Sequence, residues 1–482
     1  MNLFIFLISA WLILIGCKVG PNYCPPTALV PVEFAEDRPE RTSWVTDEDL
    51  CHWWTDTFND PFLDQLLEET ILNNFDLLIA LEKVFQAREN YWVQFTGILP
   101  QFESDFQATR FRTSRSFTSA SLTPTISPYQ SFFQTGLDAI WEIDLWGKLR
   151  RTAQSAYYSW QATAEDERGV KITVLSEVAN LYVAICYYQT KIGLAKELVD
   201  FDAEIVAISK SRFQAGLSNE AELLTFQSEF EGDTASLYVL EAALKQSIYS
   251  LAVLLGRPPE TLLNEFSVLR PIPLPSGKIP TTLPADLLRR RPDIASAERS
   301  LAAQTELIGV AVADLFPSLS LIGSSSSFAA NPLQGANVGY SSDMLNKLFK
   351  PQSLIWGIGG LVTLPIFDFG KRNATVNIQG FLSNQAYLTY EKTVITALQE
   401  VEIALANYFN EDQRLLHLTN EAGYDERNLK VVFDQFQAGL ADYIQLLQAK
   451  QKWLVSSNAM TDSQQAIDND LIAIYKALGG DW

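Results

Sequence analysis

Very few side chains in this sequence are placed for covalent or acid–base chemistry. Only 2 His and 3 Met occur in 482 residues, so a His-based metal centre or general base has little to be built from. His52 stands beside Trp53 and His417 lies in a helical stretch, neither with a partner at a catalytic spacing. No Gly-x-Ser-x-Gly, His-Glu-x-x-His or phosphate-cradling glycine loop is present. Neither an enzyme nor a cofactor or metal site is expected. What remains is a thiol, Cys17, at the end of an apolar run, and carboxylates at Glu220, Glu222 and Asp442 just past two glycines, where a helix N-terminus would favour negative charge. Cys24 and Cys51 either pair in an oxidising compartment or stay thiols, and Cys186, in an apolar helical stretch, reads as an inert core residue.

The apolar run, residues 3–16, is shorter than the about 20 residues that span a bilayer and suits a signal-peptide core. It ends Leu14-Ile15-Gly16-Cys17, which resembles the lipobox of bacterial lipoproteins, whose Cys is lipidated. Gly16 lets a peptidase approach the bond before Cys17, and Lys18 rather than Asp at the next position favours the outer membrane by the same analogy. Met1-Asn2 lacks the positive charge usual ahead of such a run. A buried or anchoring N-terminal helix is the alternative.

The elements that position these residues come in two copies. Phe213-Gln-Ala-Gly-Leu217 recurs as Phe436-Gln-Ala-Gly-Leu440, and Gly147 matches Gly370, both at an offset of 223. Upstream, Asp76 with Asp293, Ala80 with Ala297 and Pro100 with Pro317 are offset by 217, which puts a six-residue insertion between Pro317 and Gly370. Units of nearly 200 residues are far longer than solenoid repeats of about 20–50.

Each copy reads as helix, two strands, very long helix, helix. In the first, Leu63, Leu66, Leu67, Ile71, Phe75, Leu78, Leu81, Val84 and Phe85 give one helix to about Phe95. The period then becomes two: Phe133, Leu137, Ala139, Trp141 and Ile143 alternate with Gln134, Asp138 and Glu142, and 101–111 is a weaker partner strand. From Gly147 to about Phe213 no Pro interrupts a helix that would extend roughly 100 Å. The second copy repeats this, with a strand at 354–366 after a Ser/Gly/Asn-rich stretch at 323–342. The expected organisation is a signal peptide (1–16), an N-terminal segment (17–60), a first repeat (61–256, hairpin about 101–145), a Pro-rich non-helical connector (257–291), a second repeat (292–479, hairpin about 318–367) and a C-terminus (480–482).

No other stretch approaches 18 apolar residues, so a membrane would be crossed by strands. One chain supplies four strands of bilayer-crossing length, but spanning barrels start at eight, so copies would have to share a barrel. Two soluble α+β domains tethered by lipid, or a pore-free helical scaffold lipoprotein, are the alternatives. The net charge of −21 argues against nucleic acid as a partner.

Seven strings spread over the whole length resemble the TolC-like outer-membrane factors, in the NodT-type lipoprotein branch of resistance-nodulation-division efflux systems. They are Cys17-Lys-Val-Gly-Pro-Asn-Tyr23, Trp53-Trp54 with Phe58 and Asp60, Asn74-Phe-Asp-Leu77, Glu142-Ile-Asp-Leu-Trp-Gly-Lys148, Arg291-Pro-Asp-Ile294, Leu364-Pro-Ile-Phe-Asp-Phe-Gly370 and Leu478-Gly-Gly-Asp-Trp482. The resemblance implies a homotrimer in outer-membrane lipid. Its fold would be mixed α and transmembrane β: twelve shared strands continued by a long periplasmic α-helical barrel, with the connector in an equatorial belt. It implies a passive exit duct for small molecules such as drugs, served by a periplasmic adaptor and an inner-membrane resistance-nodulation-division transporter; a duct for protein secretion is the variant reading. It also implies a gate at the turns near Gly216 and Gly439, with Glu220, Glu222, Asp442, Tyr443 and Gln448 as its candidates. Gln448 stands where relatives often carry Asp, which weakens an acidic ring, and Asp442 and Glu220 read equally well as solvated helix-start carboxylates.

Cys17→Ser is expected to abolish metabolic labelling of the protein with radioactive fatty acid. Labelling that persists in the variant would overturn the lipobox assignment.

Overall fold

A computed structural model describes residues 17–27, 30–38, 40, 42–44, 53–112, 129–273, 279–281, 284–321 and 336–480. The expected signal peptide, Cys51 with its choice of pairing, His52 and much of the two Ser-rich loops lie outside these residues. In chain order the first half contains β1 (Thr42–Trp44), α1 (Trp53–Phe58), α2 (Pro61–Asn73), α3 (Phe75–Thr96), β2 (Gln101–Arg112), β3 (Tyr129–Ile143), α4 (Lys148–Gln214) and α5 (Glu220–Leu254). The second contains β4 (Ile279–Thr281), α6 (Pro284–Arg290), α7 (Pro292–Ala313), β5 (Ser318–Leu321), β6 (Ala336–Ser342), β7 (Leu354–Gly357), β8 (Gly360–Thr363), α8 (Lys371–Gln437) and α9 (Tyr443–Ala477).

The duplication is carried by helix length. α3 and α7 both have 22 residues, at the smaller offset. α4 and α8 both have 67, and α5 and α9 both have 35, at the larger one.

Several elements differ from the sequence expectation. The single helix to about Phe95 is two, because the Asn74 side-chain oxygen accepts from the amides of Asp76 and Leu77 and caps a fresh helix. The connector contains a helix, α6, with Pro at its first position, where a missing amide costs nothing. The strand expected at 354–366 is split into β7 and β8 at Ile358-Gly359, with Gly357 and Gly360 on either side, residues that weaken strands, and it ends at Thr363. The Ser/Gly/Asn-rich stretch provides β6, its weak propensity overridden by pairing. Both α4 and α5 contain an 18-residue window apolar enough to cross a membrane, which consecutive-run reading overlooked; in α4 most of that window is buried within the protein.

The described residues fall into two compact units, one within 1–27, 84–163 and 297–390, the other within 28–83, 164–296 and 391–482. The first holds a sheet of six strands in four rows, two of them long (β2 and β3) and four short. β2 pairs antiparallel with β3 from Gln101↔Ile140 to Arg112↔Tyr129. The other edge of β3 takes β6 up to Ala139↔Ala336 and resumes with β5 at Trp141↔Leu321, so β5 and β6 form one interrupted row. β7 lies along β6 and β8 along β5 as the fourth row.

Directly paired residues share a face of the sheet. The registers therefore gather Phe102, Phe106, Phe133, Leu137, Trp141, Leu319, Leu354, Trp356 and Val362 on one face. Gln101, Glu103, Asp105, Gln107, Gln134, Asp138, Glu142 and Ser320 take the other, with Phe111, Phe132, Ile140, Ile355 and Leu361 as apolar exceptions. Phe102 (72%), Leu137 (61%) and Trp356 (65%) remain largely exposed.

At the foot of β3 the chain just after Cys17 is clamped. The Val19 amide donates to the Trp146 carbonyl (3.1 Å), and Trp146 stacks on Phe316 (4.7 Å) and donates Nε1–H to the Pro317 carbonyl (2.7 Å). Arg151 is fully buried. Its guanidinium pairs with Glu306 Oε2 (2.8 Å) and donates to Gly20 O (3.1 Å) and Asn22 Oδ1 (3.2 Å), while Lys18 reaches the same Glu306 oxygen at 3.0 Å. A Cβ on Gly309 would lie 2.1 Å from Arg151 Cδ, so only glycine lets this side chain pass.

The second unit packs Leu63, Leu66 and Leu67 of α2 against Leu175, Val178 and Tyr182 of α4, Leu251 of α5 and Ile472 of α9. β1 and β4 pair in parallel, Thr42 opposite Ile279, which ties the N-terminal segment to the connector. Arg291 pairs with Asp293 (2.8 Å) and Glu400 (2.7 Å) and donates to the Ala477 carbonyl (2.9 Å), pinning the end of α9.

Arg151→Ala strands Glu306 with only the half-exposed Lys18. It is expected to cost about 3–5 kcal/mol in urea unfolding, and Arg151→Met with Glu306→Leu to recover most of that loss.

Candidate functional site

The two turns that follow the 67-residue helices are built alike, within the second unit. α4 closes with Gly216 at φ 71 and α8 with Gly439 at φ 74, conformations that an L side chain resists. The Gly216 and Leu217 amides return to the carbonyls of Phe213 and Arg212, and those of Gly439 and Leu440 to Phe436 and Gln435. A cap then starts each returning helix. Asn219 Oδ1 accepts from the Glu222 amide (2.8 Å), and Asp442 accepts from the Gln445 amide (2.8 Å) while Gln445 accepts from the Asp442 amide (3.2 Å).

The candidate residues take different places here. Asp442 is exposed and acts as a helix cap; Glu220 and Gln448 are exposed. Glu222 is buried, with Oε1 lacking a hydrogen bond among the described residues. Tyr443 packs on Phe226, which also meets Phe436, both at 6.2 Å between ring centres, and the Arg212 guanidinium lies 4.9 Å from the Phe436 ring. Within one chain the two turns thus meet through aromatic rings. Cys17, in the other unit, is exposed. Among the described residues no three His, Cys, Asp or Glu side chains group as a metal site.

The strongest electrostatic feature was not a candidate. Lys450 of α9, only 3% exposed, contacts Asp202 of α4 (2.7 Å) and Asp233 (2.8 Å) and Glu229 (3.4 Å) of α5. Three helices are thereby joined by one ammonium group. Burial, offset only partly by Lys450, pushes the Asp202 carboxyl up to about 7, and the neighbouring Asp233 adds to the rise. Burial works against the Lys450 charge, but hydrogen bonds to Asp202 and Asp233 outweigh it and hold its pKa above the ordinary value. In sequence, Gln448-Ala-Lys-Gln-Lys452 looks like a solvated run. The available signal was helical spacing: Lys450 shares the buried stripe of Leu446, Ser457 and Thr461, and Asp202 that of Leu198, Ile205 and Ser209.

Comparison with known proteins agrees with this geometry. The family model described as "Outer membrane efflux protein" matches residues 66–257 and 283–480, and the two segments begin 217 and end 223 residues apart, the offsets of the internal repeat. Nodulation protein T of Rhizobium leguminosarum bv. trifolii is 28% identical over 455 residues, covering 94% of this chain and 92% of that protein. The toluene efflux pump outer membrane protein TtgI of Pseudomonas putida is 29% identical over 483 residues, covering 98% and 97%. Among solved structures, the outer-membrane channel OprN superposes with a TM-score of 0.85 at 26% identity, covering 97% of this chain and 100% of that one.

A raised Asp202 pKa means that the folded chain holds a proton that the unfolded chain has released between about pH 4 and 7. Stability from this group therefore rises as pH falls through 7, by at most about 1.4 kcal/mol per pH unit. Urea unfolding at pH 5 to 8 is expected to show this slope in the wild type and its loss in Asp202→Asn, the difference between the two cancelling the other titrating groups.

Proposed function

The chain belongs to the outer membrane efflux protein family, and on that premise we propose that three copies of it assemble into the exit duct of a tripartite efflux pump. It is an outer-membrane channel component that extends into the periplasm, and its work is passive export of small molecules. The family is one of channels rather than enzymes. Energy and substrate come from outside the chain, from an inner-membrane resistance-nodulation-division transporter reached through a periplasmic adaptor. The relatives' names include a toluene pump and a pyoverdine exporter, which fits a duct whose cargo is chosen by its partner.

The two-faced sheet carries this reading. Its apolar face suits lipid and its mostly polar face suits a water-filled lumen. Four rows leave β2 and the β7–β8 row as edges, and open edges are not tolerated in lipid. Three copies give twelve rows, enough to close. Exposed apolar residues at seven-residue steps, Phe381, Leu388 and Ile395 on α8 and Leu78, Phe85 and Trp92 on α3, support helix packing between copies.

We assign the gate to the turns after Gly216 and Gly439. Tyr443 with Phe226 and Phe436 forms its packed part, buried Glu222 its inner carboxylate, and Glu220, Asp442 and Gln448 its exposed rim. Cys17, exposed beside the clamped segment, takes the lipid that fastens the N-terminus to the membrane.

Light scattering in detergent and conductance in planar bilayers test the proposal. A trimer with small conductance is expected, rising severalfold in Phe436→Ala with Tyr443→Ala. A monomer that stays silent even with those substitutions would overturn it.

A further inference from the structure

The lipid-facing side of the sheet changes character at one end. Along β2, the residues sharing a face are Phe102, Ser104, Phe106 and Ala108, followed by Arg110 and Arg112. Both arginines are exposed, and both guanidinium groups gather at Tyr129 of β3, 5.9 and 5.6 Å from its ring centre. Among the described residues no carboxylate forms an ion pair with either. The turn between β6 and β7 reaches the same end of the sheet, since Ser342 lies opposite Phe133. It carries exposed Lys347 and Lys350, with Phe349 between them packed edge-on to Tyr340 of the apolar face (5.7 Å). One acidic residue, Asp343, accompanies them.

Distance decides what this group can meet. Eight residues separate Phe102 from Arg110, about 26 Å along a strand and about 20 Å once tilted as barrel strands are. The apolar band of a spanning barrel is about 25 Å tall, so the arginines stand at its upper limit. The strand ends joined to α3 and α4 lie at the opposite limit, and the helices extend into the periplasm, so the arginines mark the outer leaflet. In a chain of net charge −21, cations selected for this one level call for a local anion.

We propose that Arg110 and Arg112, with Lys347 and Lys350, bind the phosphate groups of anionic lipid in the outer leaflet. Guanidinium groups match phosphate by paired hydrogen bonds, Tyr129 holds both in place, and Phe349 enters the acyl region beside them. This rests on the membrane-channel reading above. The consequence is a duct fixed in height by headgroup contact at one end of the sheet and by the acylated N-terminus at the other.

Full-length protein is purified and placed in bilayer discs with and without lipid A, and co-purified lipid A is counted by native mass spectrometry. The wild type is expected to retain lipid A, and Arg110→Gln with Arg112→Gln to retain at least about tenfold less at unchanged conductance. Arg110→Lys with Arg112→Lys, which keeps the charge if the Gln pair misfolds, is expected to retain an intermediate amount. Inorganic phosphate at millimolar concentration is not expected to displace the lipid. Equal retention by wild type and both variants, or full displacement by inorganic phosphate, overturns the proposal. Unchanged conductance in the variants separates that failure from a failure of the channel reading, in which the wild type would not conduct.

Discussion

A peptide group in hydrocarbon has no water to bond with, and much of this structure answers that requirement. A chain that spans lipid with strands must leave no open edge, yet this one supplies four rows with an edge on either side. In the proposed duct these edges are closed by other copies. The long helices carry the same incompleteness into water, with apolar residues exposed at heptad steps. The features inside one chain, by contrast, are closed: Arg151 is enclosed with its carboxylate partner, Arg291 holds the end of α9, and Lys450 gathers three acids. Arg151, Arg291 and Lys450 are buried within one chain, while much apolar surface is left exposed.

Features that depend on period were legible in the sequence. Alternation at 132–145 named the correct faces of β3, and the repeated strings located helices that turn out equal in length. Features that depend on one side chain reaching another element were not. Asn74 divides a periodic helix by capping, and periodicity does not register a cap. β6 arises in a Ser/Gly/Asn-rich stretch because a neighbouring strand is available to pair with it. Lys450 and Asp202 lie on buried stripes, but nothing short of the fold brings α4, α5 and α9 together around them. At the turns the sequence left Asp442 open between a gate carboxylate and a helix-start residue; its side chain caps α9, while Phe226 and Phe436, which were not candidates, make the contact between turns with Tyr443.

The Lys450 cluster has a consequence that reaches beyond one chain. Shifted by the repeat offset, Lys450 corresponds to Gln227, Glu229 to Lys452, and Asp233 to Ser456, while Asp202 corresponds to another acid, Asp425. The two copies have become complementary in charge where they were once the same. A ring of identical half-length units would set each such position against its own kind and could repeat sixfold. The fused chain cannot, because the acids of its first half need Lys450, which only the second half carries. Divergence after duplication thus fixes the order of the halves around the axis and lowers the symmetry of any closed ring to one latch per chain.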